Sequence, residues 1–146
     1  HAVTRYYPLN PGNFVPQDNS PDWVVTESYA RSGVDSQTAI FYMGICLPHG
    51  AVVTSMKIYV ARAGSSIISA TLHRVDFTEG RTEMATCGVS SGSGYLSDED
   101  TSINSATINN LSYTYGIRMY TDPQGTKTNA RFLGGVITYT IQEPLP

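Results

Sequence analysis

Residues 51–62 read AVVTSMKIYVAR, and this stretch decides the fold class. Val52, Thr54, Met56, Ile58 and Val60 alternate with Val53, Ser55, Lys57, Tyr59 and Ala61, a period of two that belongs to a strand with one face on a core. The pattern predicts that the even positions face inward. Upstream, residues 37–46 read QTAIFYMGIC, dense in β-favouring side chains, and Leu47-Pro48-His49-Gly50 separates the two runs with turn chemistry. Downstream, Ala63-Gly64-Ser65-Ser66 makes a short loop before Ile68, Ala70 and Leu72 resume the alternation, so the spacing predicts a β-hairpin across that loop.

The same signals continue in both directions. Residues 81–89 read as a strand, while Gly80, Gly88, Gly92 and Gly94 leave the rest of 76–105 as loop. Leu111, Tyr113, Tyr115, Ile117 and Met119 share one strand face, and Asp122-Pro123-Gln124-Gly125 predicts a second hairpin into residues 130–141. Within that last run Gly134-Gly135 predicts a bulge or a close backbone approach. Toward the start, Trp23, Val25 and Glu27 share one face of a strand over residues 22–30. Residues 1–21 hold Pro8, Pro11, Pro16 and Pro21, whose spacing excludes a helix and predicts an extended arm with one or two edge strands.

About eight or nine short strands, with no segment of 3.6 period, imply an all-β fold: an antiparallel β-sandwich of jelly-roll or Greek-key type. The 146 residues have room for one core, so the expected organisation is a Pro-rich arm (1–21) and a single sandwich domain (22–146). Charged residues make up only 14%, with Gly 13 and Pro 8, a turn-rich composition. A net charge of -3 and a pI near 5.5 offer no basic footprint for nucleic acid. No apolar run approaches the roughly 18 residues of a membrane span. The first residue is His1, which predicts a processed or trimmed chain; sparse lysine (Lys57 and Lys127) and many hydroxyl residues suit an extracellular or cell-surface protein.

Four stretches carry a resemblance: LPHGAVVTSMKIYV (47–60), ISATLHRVD (68–76), INNLSYTYGIRMY (108–120) and LGGVITYT (133–140). Together they resemble a group of uncharacterised secreted bacterial sequences with an LP-x-GA turn and a terminal GV-x-I-x-Y strand. The resemblance covers about two-thirds of the chain, at strand and turn positions. It implies a β-sandwich in an extracellular setting and brings no activity with it. The arm before Asp22 has no match in it.

Several motifs invite chemistry. Cys46 and Cys87 each lie near the end of a β-like stretch; in an oxidising compartment a bridge would close a loop of about 40 residues and stabilise by roughly 3 to 4 kcal/mol. The bridge is the favoured reading and two buried thiols the alternative. Gly88-Val89-Ser90-Ser91-Gly92 fits the G-x-S-x-G pattern of serine hydrolases, but no helix follows, and His1, His49 and His73 all precede Ser90, so a Ser/Gly loop is favoured. His1 with His49 or His73 could chelate copper, yet nothing else in the sequence supports a metal site. Ser97-Asp98-Glu99-Asp100-Thr101 reads as a solvated acidic loop without EF-hand spacing, with weak Ca²⁺ binding as the alternative. Asn110-Leu111-Ser112 is an N-glycosylation sequon. Of 10 tyrosines, Tyr6, Tyr7, Tyr113, Tyr115, Tyr120 and Tyr139 gather toward the two ends of the chain, where they suit interfaces, carbohydrate stacking or ordinary strand packing.

No acid/base pair or nucleophile constellation stands out, so an enzyme is not expected, nor is any cofactor or metal. The leading expectation is a secreted structural subunit that polymerises with copies of itself into a fibre, tube or surface layer. Its arm would supply Val3, Tyr6, Tyr7, Leu9, Phe14 and Val15 to a neighbour's open sheet edge. The alternative is an extracellular carbohydrate-binding module or adhesin domain that stacks glycans on Trp23 and exposed tyrosines.

Overall fold

A computed structural model describes residues 1–17 and 22–144; Pro21, where the arm was expected to end, lies outside them. Eleven strands occur among the described residues: β1 (Ala2–Leu9), β2 (Val15–Pro16), β3 (Trp23–Val25), β4 (Ala30–Ser32), β5 (Ala39–Ile45), β6 (Val52–Arg62), β7 (Ile67–Asp76), β8 (Arg81–Val89), β9 (Gly94–Asp100), β10 (Tyr113–Asp122) and β11 (Ala130–Gln142). They form two antiparallel sheets packed as a sandwich. The six-stranded sheet runs β3-β4-β11-β6-β9, with β1 also paired to β11; the five-stranded sheet runs β2-β5-β10-β7-β8. The all-β sandwich expectation holds. The strand count exceeds it because β2, β3 and β4 are only two or three residues long and because β9 was read as loop.

Both predicted hairpins are corrected. β6 lies in one sheet and β7 in the other, and β10 and β11 are divided in the same way. Turn residues report that the chain reverses, not whether the next strand pairs or crosses the sandwich. At the β6–β7 crossing the Arg62 side chain is buried and acts as a tie. Its guanidinium donates to the carbonyls of Ser66 (2.8 Å), Ser90 (2.7 Å) and Gly92. The Ser66 hydroxyl donates to Ala63 and Asn129, fixing the same corner.

The core fills from both sheets. Phe41, Met56, Ile58, Val60, Ile68, Leu72, Ile117, Met119, Phe132 and Ile137 are fully buried. In β6 the predicted inward face holds for Met56, Ile58 and Val60 but fails at Val52 and Thr54, because Val53 is buried instead. The register against β11 slips between Thr138 and Tyr139, leaving Thr54 as the extra residue of a bulge. One inserted residue moves everything beyond it to the opposite face. The Thr54 hydroxyl donates to the Thr138 carbonyl at 3.2 Å. The Gly134-Gly135 expectation holds in both forms. The register shifts between Phe132 and Gly134, and a Cβ at Gly135 would lie 2.4 Å from the Lys57 carbonyl oxygen.

The N-terminal arm belongs to this chain's own sandwich. β1 pairs with β11 from Ala2↔Gln142 to Leu9↔Gly135, and β2 pairs with β5 through Val15↔Tyr42. Leu9 and Phe14 are buried in the core, Phe14 edge-to-face on Phe132 at 5.1 Å between ring centres. Arg5 pairs with Glu143 at the rim. The segment expected to be given to a neighbour is therefore already engaged at home, and its apolar side chains are what hold it there.

Candidate functional site

The outer face of the five-stranded sheet follows from its inner one. Tyr115, Ile117, Met119 and Thr121 of β10 point into the core, so Thr114, Gly116, Arg118 and Tyr120 point out. Register then fixes the rungs. Tyr42 on β5 and Thr71 on β7 flank Arg118; Gly44 and His73 flank Gly116; Glu83 on β8 lies beyond His73. Two neighbouring strands thus carry glycine on the same rung: Gly44 is exposed beside Tyr42, while Gly116 is buried under His73. A Cβ at Gly44 would meet nothing within 4 Å, so this glycine is not required by packing. At Gly116 the neighbouring imidazole Nε2 lies 3.2 Å from where a Cβ would be, so His73 leans over the strand there.

A cavity of about 490 Å³ opens beside Gly44, lined by Gly44, Ile45, Cys46, Asn110, Tyr113, Thr114 and Tyr115. Its volume falls within the roughly 300 to 1,000 Å³ of ordinary small-ligand sites, and its lining mixes apolar surface with a few polar groups. Its loop wall is braced: Asn110 donates to the Leu47 carbonyl at 2.9 Å, and the Asn110 amide donates to His49 Nδ1 at 3.1 Å. The Tyr115 hydroxyl accepts the Asn109 amide at 2.8 Å. Tyr113 is sandwiched between the edge of Tyr115 and the guanidinium of Arg74, 4.0 Å above its ring.

Arg118 and Arg81 both act on His73 on this sheet face. Burial holds the His73 imidazole below its ordinary range. Arg81 adds to this, and Arg118 does so more weakly, while a Thr71 backbone hydrogen bond and Glu83 pull the other way. Among the described residues, Arg118 and Arg81 form no ion pair.

The residues singled out in the sequence are scattered. Tyr6, 68% exposed, and Trp23, 40% exposed, belong to the other sheet, Trp23 at its edge. Tyr7 and Tyr139 face each other's strands there, Tyr113 lines the cavity, and Tyr120 lies on the outer face of β10. Cys46 and Cys87 are free thiols, correcting the predicted bridge. Their strands are separated by β10 and β7, about 14 Å at the usual strand spacing, beyond disulfide reach. Cys87 faces the core, its thiol donating to the Met56 carbonyl, and burial pushes it up to about 12. Ser90 is a carbonyl acceptor for Arg62, which gives its glycine-flanked loop a structural role. The predicted acidic loop is strand β9, and among the described residues no three His, Cys, Asp or Glu side chains converge as metal ligands.

Sequence reasoning missed Tyr42, Gly44, Gly116 and Arg118. The available signal was the outward half of the β10 alternation, Gly116, Arg118 and Tyr120 against the inward Ile117 and Met119. It also missed an aromatic patch on the opposite face, where Tyr59 and Tyr95, 43% and 81% exposed, border a smaller cavity of about 260 Å³ with Leu96 and Leu133.

The sequence matches no protein-family profile and no curated protein. Solved structures do match. The CBM22-1–GH10 part of Clostridium thermocellum xylanase Xyn10B, complexed with xylohexaose, superposes with a TM-score of 0.55 over 97% of this chain and 28% of that one, at 13% identity. The tandem CBM22 domains of Paenibacillus barcinonensis Xyn10C give 0.54 over 90% of this chain and 47% of that one, at 13% identity. A mannan-recognising carbohydrate-binding module, TmCBM27, gives 0.52 over 97% of this chain and 99% of that one, at 8% identity. The likeness is one of fold. The chain spans less than half the length of the two xylanase structures and nearly all of the single module.

Proposed function

We propose that the protein is a carbohydrate-binding module acting outside the cell, and that it holds a glycan chain on the outer face of its five-stranded sheet. The observation that carries this is the open backbone at Gly44, bordered by Tyr42 and Arg118 and continued into the cavity at Cys46, Asn110 and Thr114. A pyranose ring presents an apolar face that stacks on tyrosine and a hydroxyl rim that needs donors and acceptors, and this surface supplies both. Gly44, with open space where a side chain would stand, lets the sugar approach the backbone closely. The likeness to sandwiches described as carbohydrate-binding modules supports the same reading. Among the described residues no helix is long and apolar enough to cross a membrane. The polymer-subunit expectation has no support, since the arm it required is paired within the chain.

The experiment is isothermal titration against neutral and acidic oligosaccharides with the wild type, Tyr42→Ala and Tyr95→Ala. Loss of binding in Tyr42→Ala with retention in Tyr95→Ala is the expected result. Loss only in Tyr95→Ala would move the site to the opposite sheet.

A further inference from the structure

Arg118 occupies an unusual position. It stands on the central strand of the five-stranded sheet and points outward, with Tyr42 directly across on β5 and the exposed Gly44 on the next rung. No carboxylate among the described residues pairs with it. On the rungs around it, from Tyr42 across to β8, the only acidic side chain is Glu83, which lies opposite His73 on the edge strand; Asp122 sits at the far end of β10 and accepts from Gln124. Arg81 adds a second guanidinium on β8. The chain as a whole carries -3; on this face Arg118 and Arg81 stand against Glu83 and Asp122, and Arg118 has no acidic side chain on its own rung of Tyr42, Thr71 and Thr86.

We infer that the glycan taken by this face is acidic and carries its charge as carboxylates, a uronic-acid-containing chain, with Arg118 as the residue that reads the carboxylate. The inference rests on the carbohydrate-binding reading above and names the substrate class for that site. A planar guanidinium matches a carboxylate with two parallel hydrogen bonds, which a sugar hydroxyl cannot return. A pyranose stacked on Tyr42 over Gly44 would place a ring substituent within reach of Arg118, which stands on the same rung as Tyr42. Arg81 would add longer-range attraction along the chain, sensitive to salt because it is exposed.

The test is titration of a galacturonate hexamer, its methyl ester, xylohexaose, mannohexaose and a sulfated hexasaccharide of equal charge, with the wild type, Arg118→Gln and Arg118→Lys. The expected result is that the galacturonate hexamer binds at least about tenfold more tightly than its ester and the neutral hexamers. Arg118→Gln should erase that preference, and Arg118→Lys should restore only part of it. Circular dichroism of each variant checks that it is folded, and since Arg118 is not in the core both should be. Equal or tighter binding of the neutral hexamers would overturn the acidic-ligand inference and leave the carbohydrate-binding reading standing. Equal binding of the sulfated hexasaccharide would overturn the carboxylate assignment, as would an Arg118→Gln variant that keeps its preference. If none of the five binds, both the inference and the reading beneath it fall.

Discussion

The Asp98 carboxylate on β9 accepts a hydrogen bond at 2.8 Å from the backbone amide of Gly88 on β8, so the edge strand of one sheet is closed by a side chain from the edge strand of the other. Asp100 repeats the contact two residues on, accepting the Thr86 amide at 2.9 Å. The spacing of two places both carboxylates on the sandwich side of β9, facing amides that no strand satisfies. An open edge invites pairing with another chain, and inward-pointing charge is a known way to refuse it. The acidic run that reads as a solvated loop is thus a seam. It also argues against polymerisation at this edge, where the amides are already taken.

Replacing both carboxylates should open that seam. Asp98→Ala with Asp100→Ala is expected to lower stability by about 1 to 3 kcal/mol, and to raise self-association at high concentration. Urea unfolding measures the first and sedimentation velocity the second. A double variant as stable as the wild type would show that water serves the β8 amides equally well.

Arg62 should matter more than any surface charge. Its guanidinium is buried among the carbonyls of Ser66, Ser90 and Gly92 and has no acidic partner among the described residues. Arg62→Ala strands three acceptors at a corner where the chain crosses between sheets, so a loss of about 2 to 4 kcal/mol is expected, with Arg62→Lys intermediate. Matching urea midpoints for alanine and lysine would show that the multidentate geometry contributes nothing.

The parts of the fold that were legible in the sequence are those set by local pattern. β8 was placed at residues 81–89 as observed, the inward faces of β7 and β10 at Leu72, Ile117 and Met119 are buried, and Gly134-Gly135 forms its bulge and close approach. What failed depended on distant partners. The crossing at Ala63–Ser66 looks like a hairpin locally because the choice between pairing and crossing is made by β11 and β9, which flank β6 on both sides. β9 was hidden because its inward positions are aspartates matched to free amides, a polar seam that hydrophobic periodicity does not register. The candidate site was illegible for a related reason. Its glycines, Tyr42 and Arg118 come from two strands about 75 residues apart in sequence and meet only through register.

The two thiols should behave as different groups. Cys46 is exposed and Cys87 buried, so a thiol reagent at mildly alkaline pH is expected to label one cysteine in the native protein and the second only after unfolding. Since the folded Cys87 pKa is raised to about 12 from the usual 9.0, the unfolded thiol ionises first as pH rises. Its contribution to stability is complete below pH 9.0 and fades between there and about 12. Cys87→Ala should flatten that alkaline decline, as read from urea midpoints against pH. An unchanged slope would assign the decline to other groups.

Two glycines separate folding from binding. Gly135 has no room for a Cβ, which would sit 2.4 Å from the Lys57 carbonyl, a backbone atom that can shift only with its strand. Gly135→Ala is expected to destabilise by about 2 to 4 kcal/mol, because β11 carries β1, β4 and β6 together. Gly44 is the reverse. Its Cβ would meet open space and its backbone is ordinary strand, so Gly44→Val should stay within about 0.5 kcal/mol of the wild type or gain slightly from its β preference. The same valine would fill the floor beside Gly116 and lift a sugar ring off the backbone. Glycan affinity is therefore expected to fall about tenfold or more while the unfolding midpoint holds. Calorimetric titration and urea unfolding on the one variant read both quantities. Unchanged affinity would mean that the ligand does not lie on the glycine rung, whatever else the face contributes.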